Sequence, residues 1–414
     1  MKIAVVGAGI SGLSAAYYLS KKHKVDLFEK ENQFGGHANT IKVAYNPNKE
    51  IPIDIGFMVF NKQTYPNLIN FFLENKIEIE KSDMSFSVTV ENSGLEYCGK
   101  GLGGIFSNKK NLFNPKFLKM FFEILSFYKN CEKIEIKKIS SITLGEYLTE
   151  IKISEYFINY HIIPMVSAIW SMPPYEAKQM PLSFFLSFFK NHGLFKIKDR
   201  PQWFTVTNRS KTYVDKIIGQ VSGEHFKNYN INKITRNDLG AKIFYGEENE
   251  FFEYDKVVIA THADEALKII DNPTLDEKSI LRKFKYRANT AVIHFDESVM
   301  PKNKKAWCAW NSSMDSNNNE KTAVTYWINQ LQNLKIDRNI FLTINPFKEI
   351  PNDKIFKKVA FTHPYYDTEA LTNQSNLHKI QNKKHILFCG SYFGYGFHED
   401  GIKSSIDMLK KLND

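Results

Sequence analysis

The chain has 414 residues, 43% of them apolar and 24% charged, which is enough for two or three domains and too apolar for a disordered or collagen-like protein. The net charge of +10 invites a nucleic-acid partner, yet only 6 of the 55 basic residues are Arg, the residue that base-reading sites lean on. A Lys-, Asn-, Ile- and Phe-heavy composition typical of an AT-rich genome explains the charge, and no nucleic acid is expected.

In chain order, residues 2–6 are an apolar run ending at Gly7 and read as a buried parallel strand. Residues 13–20 have helical composition and residues 25–29 read as a second strand, giving a βαβ opening. The uncharged stretch after Lys2 mimics a secretory signal, but glycines 7, 9 and 12 explain it better and no convincing cleavage site follows. Residues 51–60 are apolar and β-rich, and residues 77–90, before Glu91-Asn92-Ser93-Gly94, read as strands divided by a turn. Residues 115–130 form a helix candidate behind Asn114-Pro115, with Phe117, Met120, Phe121, Ile124 and Phe127 at helical spacing. Residues 156–175 carry no Asp, Glu, Lys or Arg and are long enough to suggest a membrane span. Asn159, His161, Pro164, Pro173 and Pro174 interrupt them, so the stretch reads as lining of an interior site. Residues 212–221 read as a helix, 229–235 as a strand and 242–260 as a meander. Residues 290–295, 323–328 and 341–344 are further strands, 312–321 an exposed loop, 386–390 a last buried strand and 401–412 a closing helix.

Cys98, Cys131, Cys308 and Cys389 stand far apart without a CxxC pair, which suits a reducing cytoplasm rather than a disulfide scaffold or zinc site. His161, His262 and His294 have no second ligand at metal spacing and read as structural or surface residues, so no metal is expected. The 33 Phe and 20 Tyr need burial in a core or around an apolar ligand.

The strongest motif is Gly7-Ala8-Gly9-Ile10-Ser11-Gly12, between a strand and a helix, with Glu29 and Lys30 at the end of the next strand. Gly7 allows the tight turn, Gly9 lets the backbone approach a pyrophosphate, and Gly12 permits close helix–strand packing. The helix N-terminus offers its N–H groups to phosphates, and Glu29 can accept from ribose hydroxyls. A second glycine pair, in Gly35-Gly36-His37-Ala38-Asn39-Thr40, suits the longer dinucleotide FAD.

This pattern resembles the extended nucleotide-binding motif of glutathione-reductase-like flavoproteins, specifically the amine-oxidase superfamily. The resemblance implies that FAD is also met by a second strand–loop–helix, here Phe388-Cys389-Gly390-Ser391 and His398-Glu399-Asp400-Gly401-Ile402. A helix starting at Asp400-Gly401 would aim its positive end at the flavin pyrimidine. By the same analogy Ile231 lies by the adenine, and Ala260-Thr261 ends a strand near the cofactor. Ile53-Asp54-Ile55-Gly56-Phe57-Met58-Val59-Phe60-Asn61, Tyr326-Trp327-Ile328-Asn329 and Gly394-Tyr395-Gly396-Phe397-His398-Glu399-Asp400-Gly401 narrow the resemblance further. They are similar to a bacterial branch associated with cyclopropane-fatty-acyl synthases. Asn208-Arg209-Ser210 replaces that branch's Gly-Gly-Ser, which argues against a close backbone approach to the cofactor there.

The resulting expectation is an α/β fold with a Rossmann-type, glutathione-reductase-like FAD-binding domain from residues 1–80, 205–280 and 380–414. A discontinuous mixed α+β substrate domain, amine-oxidase-like, takes residues 81–204 and 281–379. The expected activity is FAD-dependent dehydrogenation, such as desaturation, of an acyl chain of a fatty acid or membrane phospholipid by hydride transfer to the flavin. Alternatives are an amine oxidase, a flavin-dependent double-bond isomerase, and a non-catalytic FAD-binding partner of a lipid methyltransferase. His398 and Glu399 are the acid–base candidates, with His37 and Tyr395 behind them. Residues 156–170 and 183–189 offer apolar lining for a lipid or other apolar small molecule. Helix 115–130, flanked by Lys109, Lys110, Lys116, Lys119 and Lys129, either docks on an anionic membrane surface at the cytoplasmic face or packs as an ordinary amphipathic helix.

Overall fold

The computed structural model describes residues 1–136, 139, 142–246, 250–315 and 321–412. The opening apolar run becomes strand Lys2–Val6, paired in parallel with Lys24–Glu29 on one side and Lys256–Ile259 on the other. His225–Lys227 and Ile386–Phe388 complete a five-stranded parallel sheet. Both faces are covered, which is why these strands read as continuous apolar runs. Ile3, Val5 and Leu27 face helices Ile10–Ser20, Pro66–Glu74 and Lys211–Ile218. Ala4, Val6 and Phe28 face the antiparallel meander Ile231–Arg236, Ala241–Tyr245 and Glu250–Tyr254.

The last helix runs His398–Leu409, starting earlier than residue 401. Asp400 brings this about, because its carboxylate accepts from the Phe397 N–H at 2.9 Å and caps the helix one turn sooner. This helix packs on the first one. A Cβ on Gly401 would lie 2.7 Å from Ser11 Oγ, and the Ser14 and Ser405 hydroxyls are 2.7 Å apart.

A second, seven-stranded sheet has the order Ile355–Tyr365, Lys285–His294, Phe341–Ile344, Thr322–Trp327, Trp310–Met314, Phe86–Val90, Leu95–Cys98. Two of these strands depart from expectation. Residues 312–314 belong to a buried strand rather than a loop, because Ser312 and Ser313 pair with Val324 and Ala323; residues 316–320 of the expected loop lie outside those described. The edge strand Ile355–Tyr365 is absent from the sequence reading, hidden by Lys357-Lys358 and by Pro364, which a sheet tolerates only at its edge.

Helices Pro115–Lys133, Ile163–Trp170 and Leu182–Asn191 pack beside this sheet around an aromatic core. Residues 156–175 are mostly buried and broken into short helices. Among the described residues, no helix is long and apolar enough to cross a membrane.

Candidate functional site

The turn from the first strand to the first helix opens a cleft of about 760 Å³ along the edge of the parallel sheet. Gly7, Ala8, Gly9, Ile10 and Ser11 line one side of it, with Glu29, Lys30, Ile231, Ala260, Thr261, Gly390 and Ser391. Gly7 has φ +97°, and a Cβ on it would meet the Ala260 carbonyl at 3.0 Å. A Cβ on Gly12 would fall 1.8 Å from the Gly7 carbonyl oxygen. Both glycines are therefore demanded by packing. Gly9 differs: nothing lies within 4 Å of the position its Cβ would take. Its openness faces ligand space and not the core.

The first helix has no side-chain cap and no acid in its first turn. Its N–H groups and positive end are left for an anion from outside the chain. Glu29, 7% exposed, accepts from the Ala8 and Glu31 N–H groups at 2.9 and 3.0 Å. Burial raises its pKa, against the pull of those two hydrogen bonds. Lys30 pairs with Glu265 at 2.5 Å at the cleft edge. The donor set, an uncapped helix start beside a carboxylate at a strand end, fits a dinucleotide's pyrophosphate and ribose.

The second glycine pair buttresses the first. Gly35 N–H donates to the Ala8 carbonyl at 2.9 Å, and a Cβ on Gly36, at φ +57°, would lie 2.9 Å from Gly9 Cα. Gly36 and His37 line the cleft. Gly56 tucks under this loop, where a Cβ would meet the His37 carbonyl oxygen at 2.2 Å, and Phe57 N–H donates to the same oxygen.

Beyond His37 the cleft meets an aromatic pocket. His37, Phe361, His363, Pro364, Gly396, Phe397 and His398 line both spaces. Gly56, Phe57, Met58, Trp170, Phe188, Trp203, Trp310 and Tyr326 add to the pocket wall. Among the described residues, no Asp, Glu, Lys or Arg lines it. Of the stretches expected to line a substrate site, Ile169, Trp170 and Phe188 do so; Phe157, Phe184, Phe185 and Phe189 are filled into the core.

His398 stacks on Phe57 with ring centroids 3.6 Å apart, and its Nε2 lies 3.1 Å from the Tyr213 hydroxyl. Burial drives its pKa down to about 3, so the ring is neutral at physiological pH. The residue reaches the site as an uncharged stacked ring. His363 is pushed down to about 4 by burial and His262, and His37 well below its usual value by burial, then by its histidine neighbours. The rings of His363 and His262 lie 5.4 and 6.5 Å from that of His37. Sequence reasoning missed His363 because its strand was not recognised, and it read His262 as peripheral; the Val359, Phe361, His363 alternation was the available signal.

Glu399 is a correction. Its Oε1 accepts from the Asn67 N–H and side-chain amide at 3.0 and 2.6 Å, and its Oε2 from the Leu68 N–H at 3.0 Å. Both oxygens cap helix Pro66–Glu74, and the residue lines neither space. Asp400, Gly401 and Ile402 also stay out of the cleft. Asp400 caps its own helix, burial raising its carboxyl to about 6, Gly401 packs on Ser11, and Ile402 is core. The helix end at the cleft is therefore Phe397–His398. Gly12 and Gly35 lie beneath the cleft, while Ala38 and Thr40 border a small separate hollow with Lys211. Asn208 and Arg209 adopt φ +61° and +81°, the conformation glycine favours, and hand the Ser210 N–H and hydroxyl to Asp54 at 2.9 Å. This turn lines neither space, as the loss of its glycines suggested.

A model of the NAD(P)-binding Rossmann-like domain matches residues 5–74. A 46-residue segment is 56% identical to prenylcysteine oxidase 1 of Rattus norvegicus, covering 10% of this chain and 9% of that protein. A 43-residue segment is 54% identical to the 4,4'-diapophytoene desaturase (4,4'-diaponeurosporene-forming) of Staphylococcus aureus strain Newman, with the same 10% and 9% coverage. Each match thus spans less than a tenth of the relative's length. Solved structures agree over the whole chain. The CLA-producing fatty acid isomerase from P. acnes superposes with a TM-score of 0.68 at 12% identity, covering 99% of this chain and 97% of that one. Cyclohexylamine oxidase from Brevibacterium oxydans gives 0.68 at 15% identity, with 100% and 99% covered. Putrescine oxidase bound to putrescine gives 0.69 at 13%, with 100% of both. The fold is therefore α/β and amine-oxidase-like, with a Rossmann-like dinucleotide-binding part.

Proposed function

We propose that the chain is an FAD-dependent oxidoreductase that desaturates or otherwise dehydrogenates an apolar chain, the acyl chain of a fatty acid or membrane phospholipid. The observation that carries this reading is the uncharged aromatic pocket opening through His37, His363 and His398 into the dinucleotide cleft. The Gly9 opening and the uncapped first helix would hold the pyrophosphate and Glu29 the ribose, while Ile231 lies where the cleft could receive adenine. FAD, when bound, supplies a two-electron hydride acceptor. The pocket residues contribute position and dryness: aromatic faces hold an apolar chain and exclude water. His363 and His398, kept neutral by burial, are not proton donors near neutral pH. The desaturase relative and the fatty acid isomerase neighbour act, by their names, on long apolar molecules, and the branch associated with cyclopropane-fatty-acyl synthases is consistent with such a substrate.

A lipid substrate also suits the outer face of helix Pro115–Lys133. Phe122 is exposed there, with Leu118 and Leu125 half-buried on the same stripe; Leu112 and Phe113, just before the helix, are exposed as well. Lys109, Lys110, Lys116, Lys119 and Lys129 flank them, a pairing that favours an anionic membrane surface. Phe117, Met120 and Phe127 form the opposite, buried stripe.

The experiment is anaerobic incubation of the FAD-loaded protein with membrane lipids, read by flavin absorbance and lipid mass spectrometry. Stoichiometric bleaching with a new double bond is expected. A shifted double bond without bleaching would favour an isomerase, as the P. acnes neighbour suggests. Bleaching by polyamines alone would favour an amine oxidase, and no response to any substrate a non-catalytic partner of a lipid methyltransferase.

A further inference from the structure

A second cavity, about 660 Å³, adjoins the aromatic pocket. Ser171 and Ile344 line both. Ser171 sits there because it ends helix Ile163–Trp170 in the left-handed conformation, φ +52°, turning the chain between the two spaces. The lining chemistry changes abruptly from one to the other. Among the described residues, the aromatic pocket has no charged lining, whereas the second cavity is lined by Arg287, Lys321 and Lys358 and by no carboxylate. Arg287 is paired with Glu176, which does not line the cavity. Lys321 and Lys358 have no ion-pair partner among the described residues.

One donor on this wall is orphaned. Ser167 is 5% exposed and lines the cavity, and its Oγ is buried with no hydrogen-bond partner among the described residues. The Arg287 Nε is also without an acceptor, but so is Oε2 of its partner Glu176 without a donor, and that pair accounts for both. A buried donor left without a partner is costly enough that each such group calls for a ligand or a bound molecule to explain it. An anionic head group in this cavity would offer Ser167 an acceptor and the lining cations a counter-charge.

We propose that this cavity is the head-group site, which takes the carboxylate or phosphate of an anionic amphiphile whose apolar tail passes Ser171 and Ile344 into the aromatic pocket. The proposal rests on the reading of that pocket as the substrate's, and it adds that the substrate carries a negative charge at one end. Polarity would then fix direction: the head anchored on the cationic side sets which carbon of the tail reaches the cleft.

The test compares ligands that differ only at the head. Laurate, dodecanol and lauroyl-lysophosphatidylglycerol are titrated below their micellar concentrations at low salt. Binding is read by the fluorescence of Trp170, Trp203 and Trp310, which line the pocket. Laurate should bind about tenfold tighter than dodecanol, the effect of two or three partly exposed charge contacts. Lys321→Glu/Lys358→Glu should abolish that preference while leaving dodecanol affinity unchanged, which also shows that the variant is folded. If the double variant does not fold, Lys321→Gln and Lys358→Gln should each lower the preference about threefold.

A preference shared by the lysophospholipid would assign the head as a phosphate as well as a carboxylate. A preference confined to laurate would restrict it to a free acid. Equal binding of laurate and dodecanol, or a preference that survives charge reversal, overturns the head-group site and leaves the apolar pocket standing. Failure of every ligand to bind overturns the substrate pocket itself.

Discussion

Gly9→Ala adds one methyl group to the turn between the first strand and the first helix, where nothing lies within 4 Å of the new atom. The backbone there, φ −70° and ψ −176°, suits any residue. Alanine at a helix N-cap costs a few tenths to about 1 kcal/mol relative to glycine, and the stiffer unfolded chain returns about 0.4–1 kcal/mol. The stability of the ligand-free protein should therefore stay within about 0.5 kcal/mol. Binding should not be spared. A methyl group reaches about 1.5 Å into the cleft, enough to stretch an N–H···O–P contact from about 2.9 Å past useful range. Losing one such charge-assisted bond costs about 1.5–3 kcal/mol, or about 10- to 150-fold in Kd.

The assay is a titration of ligand-free protein with FAD, followed by flavin fluorescence, beside a urea unfolding curve of the same protein. Gly12→Ala is the comparator: its methyl would land 1.8 Å from the Gly7 carbonyl oxygen, and the ligand-free protein should fail to fold. Wild-type FAD affinity in Gly9→Ala would refute the assignment of this turn to the pyrophosphate. A loss of stability as large as that in Gly12→Ala would refute the claim that Gly9 faces open space.

Glu399→Gln should lower stability by about 1–2 kcal/mol, since it weakens the cap on helix Pro66–Glu74, with kcat unchanged in a steady-state assay; a large fall in kcat would restore a catalytic role. Acid should destabilise the fold. Burial holds His161 and His398 down to about 3, and His192, His294 and His363 to about 4. Because their folded pKa values are depressed, the stability they contribute is complete above pH 6.5 and is lost as pH falls toward 4. Asp54 and Asp400, raised to about 6, act in the opposite sense below pH 6 but are outnumbered. Urea midpoints should fall from pH 7 to pH 5, with a slope on the order of 1–4 kcal/mol per pH unit that His398→Gln reduces; a flat profile would contradict the burial of these rings. Asn208→Gly should raise stability by about 0.5 kcal/mol by removing a side chain from a left-handed position, checked by thermal denaturation. Phe113→Ser/Phe122→Ser should weaken sedimentation with anionic vesicles about tenfold and leave stability unchanged, because both rings are exposed.

The dinucleotide cleft was legible because its physics is local. A strand, three glycines, a helix and a terminal carboxylate lie within residues 2–29, and each glycine has its own steric reason. The second glycine pair was equally readable, although its partner, the Gly9 backbone, appears only in three dimensions. The acid–base assignments failed at Glu399 because a carboxylate in sequence carries no sign of what it will face. The N-terminus of helix Pro66–Glu74, over 300 residues away in the chain, claims both of its oxygens. His398 does line both spaces, but its protonation state, set by burial, is not visible in the sequence. The edge strand with Phe361 and His363 went unread because two lysines and a proline masked its period of two. The residues shared by the two cavities, Ser171 and Ile344, belong to no motif, since they bring the end of a helix beside the end of a strand.

The seating of Gly401 on Ser11, with the Ser14–Ser405 contact behind it, sets a timetable for biosynthesis. The first helix and its neighbour are separated by 391 residues of chain at the Ser14–Ser405 contact, so the helix lacks that neighbour until the intervening residues have been translated. Strand Lys2–Val6 likewise waits for Lys256–Ile259. Nascent chains must then shelter an unfinished apolar layer while those intervening residues are made, and such long-range closure slows folding. Stalled or truncated products should be recognised by proteases before any cofactor can rescue them.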